Sequence, residues 1–291
     1  MSVSEALGER KEVSLPQGTI RYHERGTGEP IVFIHGALVN ADLWRKVVPL
    51  MSPDFRCISP DLPLGSHEIP MPDGADLSPP AIAAMIGDFL DALGLENVTL
   101  VGNDTGGALC QMLVSQRPDR VARLVLTNCD GFEIFPPQPF KFVFQTAKLP
   151  GGTFVLSQSM RFRSMRKTPL AYGWLSKSHP DPDVSDGWAN PVRTDKAIRK
   201  DTEKFLRSID PEEMLAAARK LGDYKNPVLL AWADERFFTM ELARRIAAAF
   251  PDSRIEVVED SRTFVPEDQP ERLAGLVAAF AREARQPVET G

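Results

Sequence analysis

The stretch Leu100-Val101-Gly102-Asn103-Asp104-Thr105-Gly106-Gly107 runs from a short apolar strand pattern into an acid framed by glycines and then into a helical pattern. It has the form Gly-x-Asp-x-Gly. In the related string G-x-S-x-G, a strained strand-to-helix turn lifts the central side chain above the sheet edge, and small flanking residues prevent clashes. Asp104 at the centre changes the chemistry. A carboxylate attacks saturated carbon well, in displacements and ring openings, and is a poor nucleophile toward ordinary esters.

Outward from this string the chain alternates strand and helix patterns. Val13 to Leu15 and Thr19 to His23 flank Pro16-Gln17-Gly18, a hairpin signal. Ile31-Val32-Phe33-Ile34 is a continuous apolar run ending at His35-Gly36, as expected of a strand buried on both faces of a parallel sheet. The strand signal recurs at Arg56 to Ser59, Val98 to Val101, Ala122 to Thr127, Val228 to Trp232 and Arg254 to Val258. Apolar residues spaced by three and four predict helices over Asp42 to Leu50, Pro80 to Leu93, Gly106 to Gln116, Met240 to Phe250 and Glu271 to Ala284. The class read from this alternation is α/β, with a mostly parallel central sheet and helices on both faces.

The alternation breaks between Asp130 and Gly222. This stretch opens with the Pro/Phe-rich FPPQPFKFVF, continues through Arg161, Arg163, Arg166, Lys167, Tyr172 and Trp174, and has a helical pattern near Ile209 to Leu221. It reads as a helical cap inserted after the sixth strand. The expected organisation is a core of residues 1–129 and 223–291 with a cap of residues 130–222.

Composition narrows the partners. At 291 residues and 43% apolar, the chain is long enough for one large domain with an inserted subdomain. A formal charge of −6 argues against nucleic acid or an anionic membrane as a bulk partner, which leaves a small-molecule substrate, with a homodimer open. Cys57, Cys110 and Cys129 sit in apolar patterns without metal-ligand spacing, so they read as buried thiols of a reducing compartment. No leader or span pattern is present, giving a cytoplasmic expectation, and no metal or organic cofactor site is visible.

The order IVFIHGALVNADLW, PDLPLGSH, LVGNDTGGALCQ, LLAWADERFF, FVPEDQPERLA resembles the α/β-hydrolase fold family from about Pro30 to the C-terminal helix. The Asp-centred elbow resembles the Asp-nucleophile branch of epoxide hydrolases and haloalkane or haloacid dehalogenases. The resemblance implies Asp104 as nucleophile, a covalent alkyl ester, and an oxyanion hole from the backbone N–H groups of Thr105 and Ala37, with Leu38 the alternative to Ala37. His35 belongs to the turn beside that hole and, with Thr263, is expected to face the substrate. For the acid member, Glu235 and Asp234 compete, and Asp130 is a third candidate because some relatives carry the acid after the sixth strand. Solvated loop charges are the bland alternative for Asp234 and Glu235.

The chain departs from the family at the base. Thr263 stands where histidine is expected, and a threonine accepts no proton near neutral pH. His67 and His179 read as loop residues at the surface, the alternative being that one of them swings into the site as the base. Thr105 and Ala37 also occupy the places where haloalkane dehalogenases present a Trp and a polar side chain to the halide. Only Tyr172 stands in the cap where epoxide hydrolases present two tyrosines; Tyr172 and Trp174 read as substrate-facing or cap-packing aromatics. Arg161, Arg163 and Arg166 read as a solvated face, with holding a substrate carboxylate, as an Arg does in haloacid-type relatives, the alternative. Phe132, Phe135, Phe140, Phe142 and Phe144 suit either an apolar ligand or the cap's own core.

Three functions fit this sequence. The first is a hydrolase with Asp104 as nucleophile and a triad lacking histidine, in which a non-histidine base such as Glu235 acting through water completes turnover. The second is a cofactor-free lyase, isomerase or cyclase using Asp104 for proton transfer. The third is a ligand-binding relative without turnover. Hydrolysis ranks first by analogy with the fold.

Overall fold

The apolar runs become strands of a single sheet in the computed structural model, which describes residues 5–169 and 171–283. Among these residues the strands are β1 (Glu9–Leu15), β2 (Gly18–Arg25), β3 (Pro30–Ile34), β4 (Arg56–Pro60), β5 (Val98–Asp104), β6 (Val121–Cys129), β7 (Val228–Trp232) and β8 (Ser253–Val257). Their order is β1-β2-β4-β3-β5-β6-β7-β8. β1 pairs antiparallel with β2, and β2 antiparallel with β4; every other neighbouring pair is parallel.

Side-chain alternation explains why the central runs are apolar throughout. Val32, Ile34, Leu100, Leu124, Leu126 and Leu230 join one core cluster, whereas Ile31, Phe33, Val101, Val125 and Leu229 join the other. The first cluster packs against α2 (Pro79–Ala92), α3 (Thr105–Gln116) and α10 (Met240–Ala249); the second packs against α1 (Val48–Met51), α11 (Val265–Asp268) and α12 (Pro270–Arg282). Between β6 and β7 the chain is helical, with α4 (Lys141–Ala147), α5 (Gly152–Ser159), α6 (Arg163–Arg166), α7 (Pro182–Thr194), α8 (Lys196–Ser208) and α9 (Pro211–Ala218). No helix among the described residues is long and apolar enough to cross a membrane.

Some expected elements differ. The helix expected over Asp42 to Leu50 is a 3-10 turn, Ala41–Trp44, followed by the separate α1. Pro49 has no N–H to donate to a continuing helix, so it restarts one from its first turn. The helical pattern near Ile209 to Leu221 divides into α9 and a 3-10 turn at Leu221–Asp223. Residues 1–4, 170 and 284–291, which the sequence reading assigned to core and cap, lie outside the described residues, as does the expected helix end at Ala284.

The chain order reverses around β3. β4 lies on one side of β3, and β5, next in sequence, lies on the other. Connections leave β3 and β5 in opposite directions, which opens a crevice at their C-terminal ends. Gly36 follows one of these ends and Asp104 terminates the other.

Candidate active site

Asp104 is the last residue of β5 and precedes α3, with φ 54° and ψ −132°. This is a strained conformation for a residue with a Cβ, held by its surroundings. A Cβ on Gly106 would come within 2.5 Å of the carbonyl oxygens of Ile34 and His35, and one on Gly36 within 2.3 Å of Asp104 Oδ2. The glycines of the motif therefore serve close approach: they let the elbow pack against the end of β3 with the carboxyl lying over Gly36.

Two further acids stand near Asp104. The β5–β6 register pairs Asp104 with Cys129, so the next residue, Asp130, emerges at the same sheet edge. Asp130 is buried; its Oδ2 accepts a hydrogen bond from Thr105 Oγ1 at 3.3 Å, and its Oδ1 has no partner among the described residues. Glu235 is half-buried in the loop after β7, where its Oε1 accepts from Phe238 N at 2.9 Å and from Thr263 Oγ1 at 3.2 Å. Desolvation raises the Asp104 pKa to about 7; a hydrogen bond from the Thr105 backbone opposes the rise, and the Glu235 charge adds to it. Asp130 is raised well above the usual carboxylate range by desolvation and by the neighbouring Asp104 charge. Glu235 is raised by burial against the hydrogen bonds it accepts.

Asp104 and Asp130 face a cavity of about 340 Å³ between the sheet edge and the helical insertion. Ala37, Leu38, Asp104, Thr105 and Asp130 line its floor; Phe140, Phe142, Phe144, Leu156, Met160 and Tyr172 are among its walls. Three phenylalanines of the Pro/Phe-rich entry thus face the cavity, whereas Phe135 is buried in the core and Phe132 packs under Arg245. A mostly apolar wall with a few polar groups at one end is the usual form of a small-molecule site.

Several residues expected at the site are engaged elsewhere. Leu38 lines the cavity, but its N–H donates to Leu64 O at 2.9 Å, so it is engaged and does not serve as the alternative to Ala37. The Tyr172 hydroxyl donates to Leu38 O at 2.8 Å, and burial raises its pKa, so this side chain braces the insertion on the core. His35 is fully buried: its Nε2 accepts from Leu62 N at 2.9 Å, which places the proton on Nδ1, where it donates to Gly36 O at 2.8 Å. Burial lowers its pKa to about 4, so His35 is a neutral clamp rather than a substrate ligand. Asp234 is exposed and accepts from Met240 N at 3.0 Å, which ties the loop to the start of α10 instead of to Asp104. Trp174 is half-buried, packed at a tilt against Phe237 and under Arg236, and is not among the cavity-lining residues. Thr263 is fully buried behind Glu235 and likewise does not line the cavity.

Two surface readings also change. His67 is buried against Asp201 of α8, at 3.4 Å. Arg166 is buried and paired with Asp186, because its guanidinium closes α6 onto α7.

The sequence pattern of the α/β hydrolase fold matches residues 29–270. The chain belongs to this family. Haloalkane dehalogenase 2 of Mycobacterium tuberculosis (strain ATCC 25618 / H37Rv) is 26% identical over 284 residues, covering 90% of this chain and 91% of that protein. A 2-hydroxy-6-oxo-6-phenylhexa-2,4-dienoate hydrolase of Burkholderia cepacia is 24% identical over 257 residues, covering 84% and 85%. Haloalkane dehalogenase DbeA from Bradyrhizobium elkani USDA94 superposes with a TM-score of 0.76 at 20% identity, covering 94% of this chain and 97% of that one. The ligand-free epoxide hydrolase CorEH gives 0.76 at 20% identity, covering 94% and 98%. The relatives are hydrolases, and the structural likeness establishes the α/β-hydrolase fold.

Around the elbow of this α/β-hydrolase chain, residues that the sequence reading passed over hold the floor together. Asn103 Nδ2 donates to Thr127 Oγ1 and to Thr263 O, both at 2.7 Å. Asn128 exchanges two 2.7 Å hydrogen bonds with the backbone of Ala233, fixing the loop that carries Glu235. A polar residue at the end of an apolar strand run was the available signal. Trp188 and Thr153 line the cavity, and each has a buried polar atom without a partner among the described residues; nothing in the sequence distinguished them from packing residues.

Proposed function

We propose that this chain is a hydrolase of small, apolar organic substrates in which Asp104 attacks an electrophilic carbon. The observation that carries this reading is the strained elbow, which presents a carboxyl at the floor of an apolar cavity and beside the Thr105 backbone N–H. In the attack an Asp104 oxygen bonds to carbon, the leaving group departs with the bonding pair, and an alkyl ester remains for water to cleave. The N–H groups of Ala37 and Thr105 serve as the oxyanion hole while water adds to the ester carbonyl. Residues 130–222 act as the cap that excludes bulk water. Glu235 and Thr263 support the floor, and the Glu235 charge tunes Asp104.

Intact-protein mass spectrometry with epoxides, haloalkanes, haloacids and activated esters tests this. An adduct on Asp104, or product formation that Asp104→Asn abolishes, is expected. Turnover by the Asn variant at the wild-type rate removes Asp104 from the chemistry.

A second reading, proton transfer by Asp104 without an ester, is favoured by the histidines. Among the described residues His35 is clamped by backbone and His67 is held by Asp201. Under this reading substrate isomerises or is cleaved with no adduct and no incorporation of water.

A further inference from the structure

Asp130 stands beside the nucleophile in an environment that suits a neutral carboxylic acid. It is 1% exposed, lines the cavity floor and makes no ion pair among the described residues, and its carboxyl receives one long hydrogen bond there, from Thr105 Oγ1 at 3.3 Å. Its Oδ1 has no partner among the described residues. Burying a carboxylate on such terms next to a second carboxylate is costly, and a proton on Asp130 removes the cost. The two residues leave adjacent strands at paired positions, Asp104 at the end of β5 and Asp130 one residue beyond its β6 partner. Two carboxyls in one low-dielectric site share one proton, and the pair titrates as a unit.

We propose that Asp130 is a catalytic residue, acting as a carboxylic acid on the oxygen that leaves when Asp104 opens an epoxide and then, as a carboxylate, on the water that cleaves the ester. The proposal rests on Asp104 being the nucleophile. An acid at the end of β6 that worked through an imidazole would need a histidine, and Thr263 is at that place. Asp130 therefore acts on the reacting atoms directly.

The steps balance. An Asp104 oxygen bonds to a ring carbon, the C–O bond breaks, and the ring oxygen takes the Asp130 proton, leaving a hydroxyalkyl ester and an Asp130 carboxylate. That carboxylate takes a proton from water as the oxygen of water adds to the Asp104 carbonyl carbon. The tetrahedral adduct collapses and expels the diol oxygen, which takes the proton of the newly formed Asp104 carboxylic acid. Asp104 returns as a carboxylate and Asp130 as an acid, and epoxide plus water has become diol. A ring oxygen needs the proton because an alkoxide is a poor leaving group, whereas a halide leaves without one.

The test compares the wild type, Asp130→Asn and Asp104→Asn with terminal epoxides and 1-bromoalkanes of matched chain length. The wild type is expected to release diol, and Asp130→Asn is expected to lose about 10²–10⁴-fold in epoxide turnover, the span typical of a positioned acid or base. With the bromoalkane, Asp130→Asn still forms the Asp104 ester, and the ester accumulates. Infrared spectroscopy at pH 8 gives a reading independent of turnover: the wild type is expected to show a protonated-carboxyl band that disappears in a folded Asp130→Asn protein. Wild-type epoxide turnover in Asp130→Asn, absence of the band, or no reaction of the wild type with any epoxide overturns the proposal. Loss of activity in Asp104→Asn together with full activity in Asp130→Asn rejects Asp130 while keeping Asp104; full activity in Asp104→Asn rejects the nucleophile reading itself.

Discussion

Asp104 joins the site's chemistry to its stability. Its pKa of about 7 in the fold stands above the ordinary carboxylate value near 4, so the folded state holds this proton over a range where the unfolded chain has released it. The associated stability is fully present below the ordinary value and is lost as pH rises toward 7. Asp104→Asn has no such dependence, so its melting temperature should gain on the wild type between pH 4 and pH 8 and hold a constant difference above; melts across that range check this, and a difference independent of pH contradicts it. Activity that needs the carboxylate should rise through the same range. Glu235→Gln keeps an oxygen for Phe238 N and Thr263 Oγ1 but removes the charge that raises Asp104. The acid limb of the pH–rate profile should then move to lower pH, and an upward shift would contradict this account. Asp104 could be read from the sequence because its glycine frame is local, whereas the assignment between Asp234 and Glu235 depended on which carboxyl the loop after β7 turns inward.

At the scale of elements, the elbow is a contact between two strand ends as much as a turn within one. A Cβ at Gly106 would strike backbone oxygens, which cannot rotate away as a side chain can. Gly106→Ala should destabilise the fold by about 1–3 kcal/mol, the usual cost of overpacking, and should also lower activity by displacing Asp104. Chemical denaturation measures the first effect and kinetics the second; an unchanged denaturation midpoint would show that the elbow can relax. The central strands were legible because burial on both faces demands continuous apolar runs. Short helices were less legible, since Pro49 divides what periodicity alone joins.

The whole molecule depends on contacts across the insertion. Asp201 of α8 accepts from Met71 N at 2.8 Å and faces His67, while Tyr172 reaches Leu38 O and Ser66 Oγ donates to Trp188 O at 2.6 Å. Asp201→Ala leaves the buried Met71 N–H and His67 without that partner and should cost about 1–3 kcal/mol. Limited proteolysis should then cut residues 130–222 before the sheet; an unchanged cleavage pattern would show that the remaining contacts hold the insertion alone. Buried pairs such as His67 with Asp201 join residues far apart in the chain, and no periodicity or local motif announces them. By itself the sequence determined the parallel sheet, the position of the elbow, the acid at its centre and the helical insertion, because each follows from local spacing, from glycine's freedom or from the burial of apolar runs. Only the tertiary structure decided that His35 is a clamp, that Leu38 has no free N–H, that Asp234 faces away and that Asp130 stands beside Asp104 with one oxygen unpartnered among the described residues, because hydrogen-bond partners and desolvation are set by groups distant in sequence that the fold brings together.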